Sequence, residues 1–142
     1  NIYGFLEVRP LSHPGERKGG LLSGIQNENL LQMHTFPCEN GDEFPKNQYT
    51  KWFDYDKIKG TLSLRHRQPG DYLTLPSGGR KTLKSWMIDE KIPRQEREEI
   101  WLLAEEKHIL WIVGHRISAY YKITEQTKTI LEVEFNGGKS SG

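Results

Sequence analysis

Hydrophobic and polar residues alternate along several short stretches of the 142-residue chain, and the period of that alternation predicts its elements. Ile2 to Val8, Leu30 to Phe36 and Lys51 to Tyr55 read as strands, the second closed by Pro37. Thr61 to Arg67 alternates most cleanly: Leu62, Leu64 and His66 share one face, and Ser63, Arg65 and Arg67 the other. Trp101 to Ala104 and His108 to Val113 are apolar at successive positions, as strands covered on both faces are, and Gly114 ends the second. Thr129 to Phe135 alternates again as a last strand. From Lys81 the period changes. Leu83, Trp86 and Met87 fall at i, i+3 and i+4, the apolar stripe of a helix over about 82–91. Pro93 suits the first position of a second short helix, over about 93–100, with Glu96 near its positive end.

Punctuation supports this division. His13 to Gly24, with Pro14, Gly15, Gly19, Gly20 and Gly24, reads as a long polar loop. Asn40-Gly41-Asp42, Pro69-Gly70-Asp71 and Ser77-Gly78-Gly79 are turn signals, the last leading into the first helix, and the Gly/Ser-rich end from Asn136 is expected to fray. Strands, then two helices, then strands make an α+β domain, mostly antiparallel, with the two short helices packed on the sheet. The chain has no βαβαβ rhythm, which argues against a doubly wound nucleotide fold, and no internal repeat.

Composition narrows the class. Aromatic residues at 11% argue for a packed core. A lone cysteine, Cys38, excludes a disulfide scaffold or zinc finger and fits a reducing compartment. No apolar run approaches the ~18 residues of a membrane span. The chain starts at Asn1 in strand-like sequence, without a signal peptide, as a fragment of a longer protein would. The net charge of +1 hides an uneven distribution. Residues 57–122 carry thirteen Lys and Arg against eight Asp and Glu, a net +5, while residues 1–56 carry −3 and residues 123–142 carry −1. A basic centre between acidic flanks points to a local anionic partner.

Motifs that resemble catalytic sites fall short. Gly137-Gly138-Lys139-Ser140 has the end of a phosphate-binding loop, but Val133 occupies the position of its first glycine. Ser77-Gly78-Gly79-Arg80 resembles the SGGxDS loop of ATP pyrophosphatases, with Lys81 and Thr82 replacing its Asp and Ser. Asp54 and Asp56 share a face if extended, but Lys57-Ile58 breaks a calcium-loop pattern, so a solvated strand end or turn is the better reading. A hydrolase built on these acids and a histidine finds no constellation to support it. His66 belongs with the apolar face, and Cys38 has no neighbouring base. The basic residues are more coherent. Arg65 and Arg67 share a strand face, Lys81 and Lys84 open one helix, Arg94 and Arg97 lie on the next, and Arg116 follows a turn. Such a spread suits a phosphate backbone.

Three strings then carry a resemblance. L-R-H-R-Q-P-G-D-Y (Leu64 to Tyr72), K-T-L-K-S-W-M-I-D-E-K-I-P-R-Q-E-R (Lys81 to Arg97) and I-L-W-I-V-G-H-R-I (Ile109 to Ile117) follow one another in an order and spacing that closely resembles the C-terminal domain of bacterial tRNA(Ile)-lysidine synthetase. W-F-D-Y-D-K-I (Trp52 to Ile58) looks like that family's lead-in. The match covers about residues 47–122. Thr82 stands where Lys is common and Trp86 where a smaller apolar residue is usual. The resemblance divides the chain into a β-rich lead-in (1–46), the tRNA-binding domain (47–136) and a flexible tail (137–142).

The resemblance implies a parent enzyme that uses ATP to adenylate the wobble cytidine of an isoleucine tRNA, after which the amine of free lysine displaces AMP. That chemistry, with its ATP and magnesium, belongs to an N-terminal catalytic domain. This segment needs no cofactor of its own, is non-catalytic, and holds the acceptor-stem side of the tRNA. The implied partners are tRNA and the chain's own catalytic domain, in the cytoplasm and away from membranes. Arg65 and Arg67 come first as phosphate contacts, followed by Lys81, Lys84, Arg94, Arg97 and Arg116. Gly70 and Asp71 form a supporting turn, in which Asp71 orients an arginine, since a bare carboxylate repels phosphate. Leu83, Trp86, Ile88, Trp111 and Val113 are expected in the core. The alternative is an interaction or homodimer module that presents Trp101–Leu103 and Leu131–Phe135 to a second copy.

Overall fold

The computed structural model describes residues 5–8, 30–39, 45 and 47–136. The Gly-rich loop, the Asn40-Gly41-Asp42 turn and the 137–142 tail expected from sequence lie outside them. Alternating apolar residues place β2 (Leu31–Pro37), β3 (Thr50–Asp54) and β10 (Thr129–Phe135) in a three-stranded antiparallel sheet of order β2-β10-β3. β1 (Phe5–Val8), β4 (Leu62–Arg65), β5 (Tyr72–Thr74), β6 (Arg80–Thr82), β7 (Leu102–Glu105) and β8 (His108–Ile112) form a larger sheet of order β1-β4-β7-β8-β5-β6. The short β9 (Arg116–Ile117) pairs with β8. Pairing is antiparallel except where β5 meets β8 at Tyr72 and His108. The fold is α+β, as expected. β1 pairs with β4 and β2 with β10, so strands from residues 1–46 join the sheets of the 47–136 segment.

Two cores explain why β7 and β8 are apolar throughout. Leu31, Met33, Phe53, Leu131 and Val133 of the small sheet pack against Leu62, Leu64, Leu103, Leu110 and Trp111 of the large one. On the other face, Leu102, Ala104, Ile109 and Ile112 pack against Leu83, Trp86 and Met87 of α1 (Leu83–Asp89). A regular strand could not put Ile109 and Ile112 on one face. The register shifts between Leu103 and Ala104, so that Leu103 faces Trp111 and Ala104 faces Ile109, and the bulge resets the parity. Each fully buried aliphatic side chain contributes roughly 1.5–3 kcal/mol.

α1 starts where Thr82 Oγ1 accepts the Ser85 N–H at 3.1 Å. Thr82, one of the two departures from the resembled pattern, is thus the helix cap. Its far end closes in a Schellman arrangement, Lys91 N–H to Ile88 C=O and Ile92 N–H to Met87 C=O, both at 3.0 Å, with Lys91 at φ 57. The second helix, α2 (Arg94–Arg97), is a single turn and shorter than the 93–100 expected. The Ser77-Gly78-Gly79 turn closes the β5–β6 hairpin, so β6 intervenes before the helix. Ile88, expected in the core, is 50% exposed, because it lies off the Leu83, Trp86 and Met87 stripe.

Candidate functional site

Gln68-Pro69-Gly70-Asp71 folds as its residues dictate. Proline presets the second position, Gly70 takes φ +89, and Asp71 N–H returns to Gln68 C=O at 3.3 Å, a type II turn. The turn is fastened from inside. Arg65 Nη1 and Nη2 each donate to one Asp71 carboxylate oxygen at 2.9 Å, and Asp71 Oδ2 also accepts the Gln68 N–H at 2.8 Å. Arg65 further donates to the carbonyls of Glu106 at 2.7 Å and His66 at 3.0 Å. The Glu106 carbonyl belongs to the β7–β8 turn, where Glu106 itself has φ 57.

This placement differs from the expectation for Arg65. Its side chain is 4% exposed and that of Asp71 0%, so the guanidinium faces inward rather than toward a phosphate. Alternation marked the Arg65 face as polar and therefore solvated, but both faces of the large sheet are covered. A charge on the second face must find a counter-ion, and Asp71, the arginine-orienting acid, supplies it.

The other sequence-predicted residues scatter. Arg67, Gly70, Asp71 and Lys84 line one hollow of about 540 Å³. Arg67 is paired there with Glu98, which leaves Lys84 as the cation of that hollow without an ion-pair partner among the described residues. Lys81 is paired with Asp89. Arg97 Nε donates to Ile92 C=O at 2.8 Å, while Arg94 and Arg116 are exposed. Asp54 is buried, with Oδ1 accepting the Asp56 N–H at 3.1 Å and Oδ2 the Thr127 hydroxyl at 3.0 Å, so it caps a turn. His66 lies 4.1 Å from Trp101, ring to ring, as a packed histidine. Leu131, Val133, Phe135, Leu102 and Leu103 are interior, so the apolar strings assigned to a dimer contact are not a free surface.

A second cleft, of about 640 Å³, was not visible in the sequence. It gathers Lys57 and Lys59, Tyr72 of β5, Arg80 of β6, Lys107 and His108 at the start of β8, and Tyr120. Arg80 lies 4.4 Å from the Tyr72 ring centre, Tyr72 stacks on His108 at 4.6 Å, and Tyr120 meets His108 at 5.1 Å. Lys57 Nζ sits 5.4 Å from the Tyr120 ring centre. His108 Nε2 lies 3.0 Å from Thr74 Oγ1 and 3.3 Å from Ser118 Oγ. Burial pushes the His108 imidazole below its ordinary value, Arg80 adds to that, and Glu105 opposes it. The imidazole is therefore neutral at pH 7.

Four cations and two carboxylates line this cleft. Glu105 is taken up internally: Oε1 accepts the Tyr121 hydroxyl at 2.7 Å, and Oε2 accepts the N–H groups of Lys59, at 2.6 Å, and Gly60. Burial, with this hydrogen bond second, pushes the Tyr121 hydroxyl far above its ordinary value and keeps it a donor. Lys57, Lys59, Arg80 and Lys107 have no ion-pair partner among the described residues. Lys107 Nζ donates instead to the neutral Pro69 carbonyl at 2.9 Å. The contributing residues span Lys57 to Tyr121, and the only local hints were Lys57-x-Lys59 and Tyr120-Tyr121.

Comparison with known proteins adds to this geometry. The family described as TilS substrate C-terminal domain matches residues 62–134. The tRNA(Ile)-lysidine synthase of Caldanaerobacter subterraneus subsp. tengcongensis is 46% identical over 112 residues, 78% of this chain and 24% of that protein. That of Clostridium tetani is 41% identical over 121 residues, 84% of this chain and 26% of that protein. A crystal structure of a TilS C-terminal domain superposes with a TM-score of 0.55 at 27% identity, covering 76% of this chain and 86% of that one. The chain spans about a quarter of the length of these curated relatives.

Proposed function

Because the chain belongs to the TilS substrate C-terminal domain family, we propose that it is the tRNA-holding part of a tRNA(Ile)-lysidine synthetase. The parent enzyme would use ATP and magnesium in a separate catalytic domain to join lysine to the wobble cytidine of an isoleucine tRNA. This part would act in the cytoplasm, gripping the acceptor-stem side of the tRNA and docking to that catalytic domain. The observation that carries the reading is that ten of the thirteen cations in the net +5 segment lack an acidic partner among the described residues, Lys57, Lys59, Arg80, Lys84, Arg94, Lys107 and Arg116 among them. Cations without internal partners are free to replace the counterions of phosphate. An A-form stem offers phosphates, 2′-hydroxyls and shape, which such groups grip without reading sequence.

Among the described residues, no helix is long and apolar enough to cross a membrane. Arg65 and Asp71 take a positioning role in this reading: they hold the Gln68–Asp71 turn that follows Arg67, and Arg65 ties it to the β7–β8 turn that carries Lys107. Titration of tRNA against the chain at several salt concentrations tests it. With about five phosphate contacts, the logarithm of affinity should fall with the logarithm of salt at a slope of roughly −3.5 to −4.5. A slope near zero, or no binding at low salt, refutes it.

A further inference from the structure

We infer that the cleft between β5, β8 and Tyr120 is a pocket for one unpaired RNA nucleotide, its base stacked on Tyr120 and its phosphates met by Lys57, Lys59 and Lys107. This rests on the reading that the chain holds tRNA and adds to it a single-stranded contact that a paired stem cannot make. The cleft, at about 640 Å³, falls within the ~300–1,000 Å³ of pockets that enclose small ligands. Its walls are planar groups in series, Arg80 on Tyr72 and Tyr72 on His108, with Tyr120 beside them. A duplex hides the faces of its bases within the stack, so aromatic faces are of use only to a base that has left it.

Three features argue for a nucleotide rather than a purely apolar ligand. Tyr120 is 44% exposed although large and aromatic, with a lysine ammonium beside its ring. The unpaired cations outnumber the carboxylates, and Glu105 is satisfied by Tyr121 and two backbone N–H groups, so it need not repel an anion strongly. The floor is preorganised, because the Ser118 hydroxyl accepts the Thr74 N–H at 3.0 Å and lies 3.3 Å from His108, leaving little to be ordered on binding.

The experiment compares a blunt RNA stem-loop with the same stem carrying a four-nucleotide 3′ single-stranded extension, by fluorescence anisotropy at fixed salt. The chain should bind the extended stem about 5- to 150-fold more tightly, the range of one stacked base. Tyr120→Ala should abolish the preference while leaving affinity for the blunt stem unchanged, and Tyr120→Phe should retain it. Should Tyr120→Ala lower the urea midpoint, Lys57→Glu serves instead and should at least halve the preference. Equal binding of the two stems, or a preference that survives both Tyr120→Ala and Lys57→Glu, overturns the pocket while leaving tRNA binding in place. Failure to bind either stem or tRNA overturns both readings.

Discussion

Asp71→Ala would leave the Arg65 guanidinium 4% exposed and without its counter-ion. Two hydrogen bonds at 2.9 Å disappear, together with the 2.8 Å bond that holds the Gln68 N–H. Removing one partner of a buried pair costs about 3–5 kcal/mol, a large part of the ~5–15 kcal/mol by which small domains are stable. With a urea m-value of about 2 kcal/mol/M, the unfolding midpoint should fall by about 1.5–2.5 M. Arg65→Ala should behave alike, since it strands the carboxylate. The pair Arg65→Met with Asp71→Leu removes both charges and should recover most of the loss. It should fall short by about 1–2 kcal/mol, because the Glu106 and His66 carbonyls lose their donor. Urea titration followed by tryptophan fluorescence, with tRNA binding measured on each folded variant, decides the matter. The reasoning is refuted if Arg65→Ala unfolds at the wild-type midpoint yet binds tRNA poorly, for then the guanidinium acts on the RNA and not on the turn.

Three further outcomes are expected. Lys91→Gly should raise stability by about 0.5–1 kcal/mol, since φ 57 at the helix end strains a residue with a Cβ; an unchanged or lower urea midpoint speaks against it. Gly70→Ala should cost about 1–2 kcal/mol through backbone conformation alone. Its added Cβ would meet only the flexible Lys107 stem, Cδ at 3.8 Å and Cε at 3.9 Å, and a loss beyond ~4 kcal/mol in the same titration would reveal a clash the geometry lacks. The lowered His108 value means that the unfolded imidazole takes a proton more readily than the folded one. Its contribution is therefore complete above the ordinary value of about 6.5 and is lost as pH falls toward the folded value. Midpoints measured from pH 7.5 to 5 should drop less in His108→Asn than in the wild type, and parallel curves would count against this assignment.

Period and punctuation sufficed for much of the fold. β10 spans Thr129–Phe135 as its alternation requires, and α1 buries the Leu83, Trp86 and Met87 stripe, because both signals are local and no distant contact competes with them. The unbroken apolar runs of β7 and β8 likewise foretold strands covered on both faces. The basic centre was also legible, since charge is counted along the chain. Which of its cations face solvent was not. Arg65 and Arg67 are two residues apart and of one type, yet the first is sealed against Asp71 and the second stays partly exposed beside Glu98. That difference arises because α1 and the β7–β8 turn cover the second face of the sheet, a fact absent from any local window. The cleft of Tyr72, Arg80, His108 and Tyr120 was hidden for the same reason: its members come from strands that neighbour one another only once β5 pairs with β8. Sequence by itself determined the elements, the class and the sign of the charge, which depend on near neighbours. Tertiary structure decided which charges are free to meet a partner and which rings line a pocket, because burial and ion pairing depend on residues far apart in the chain.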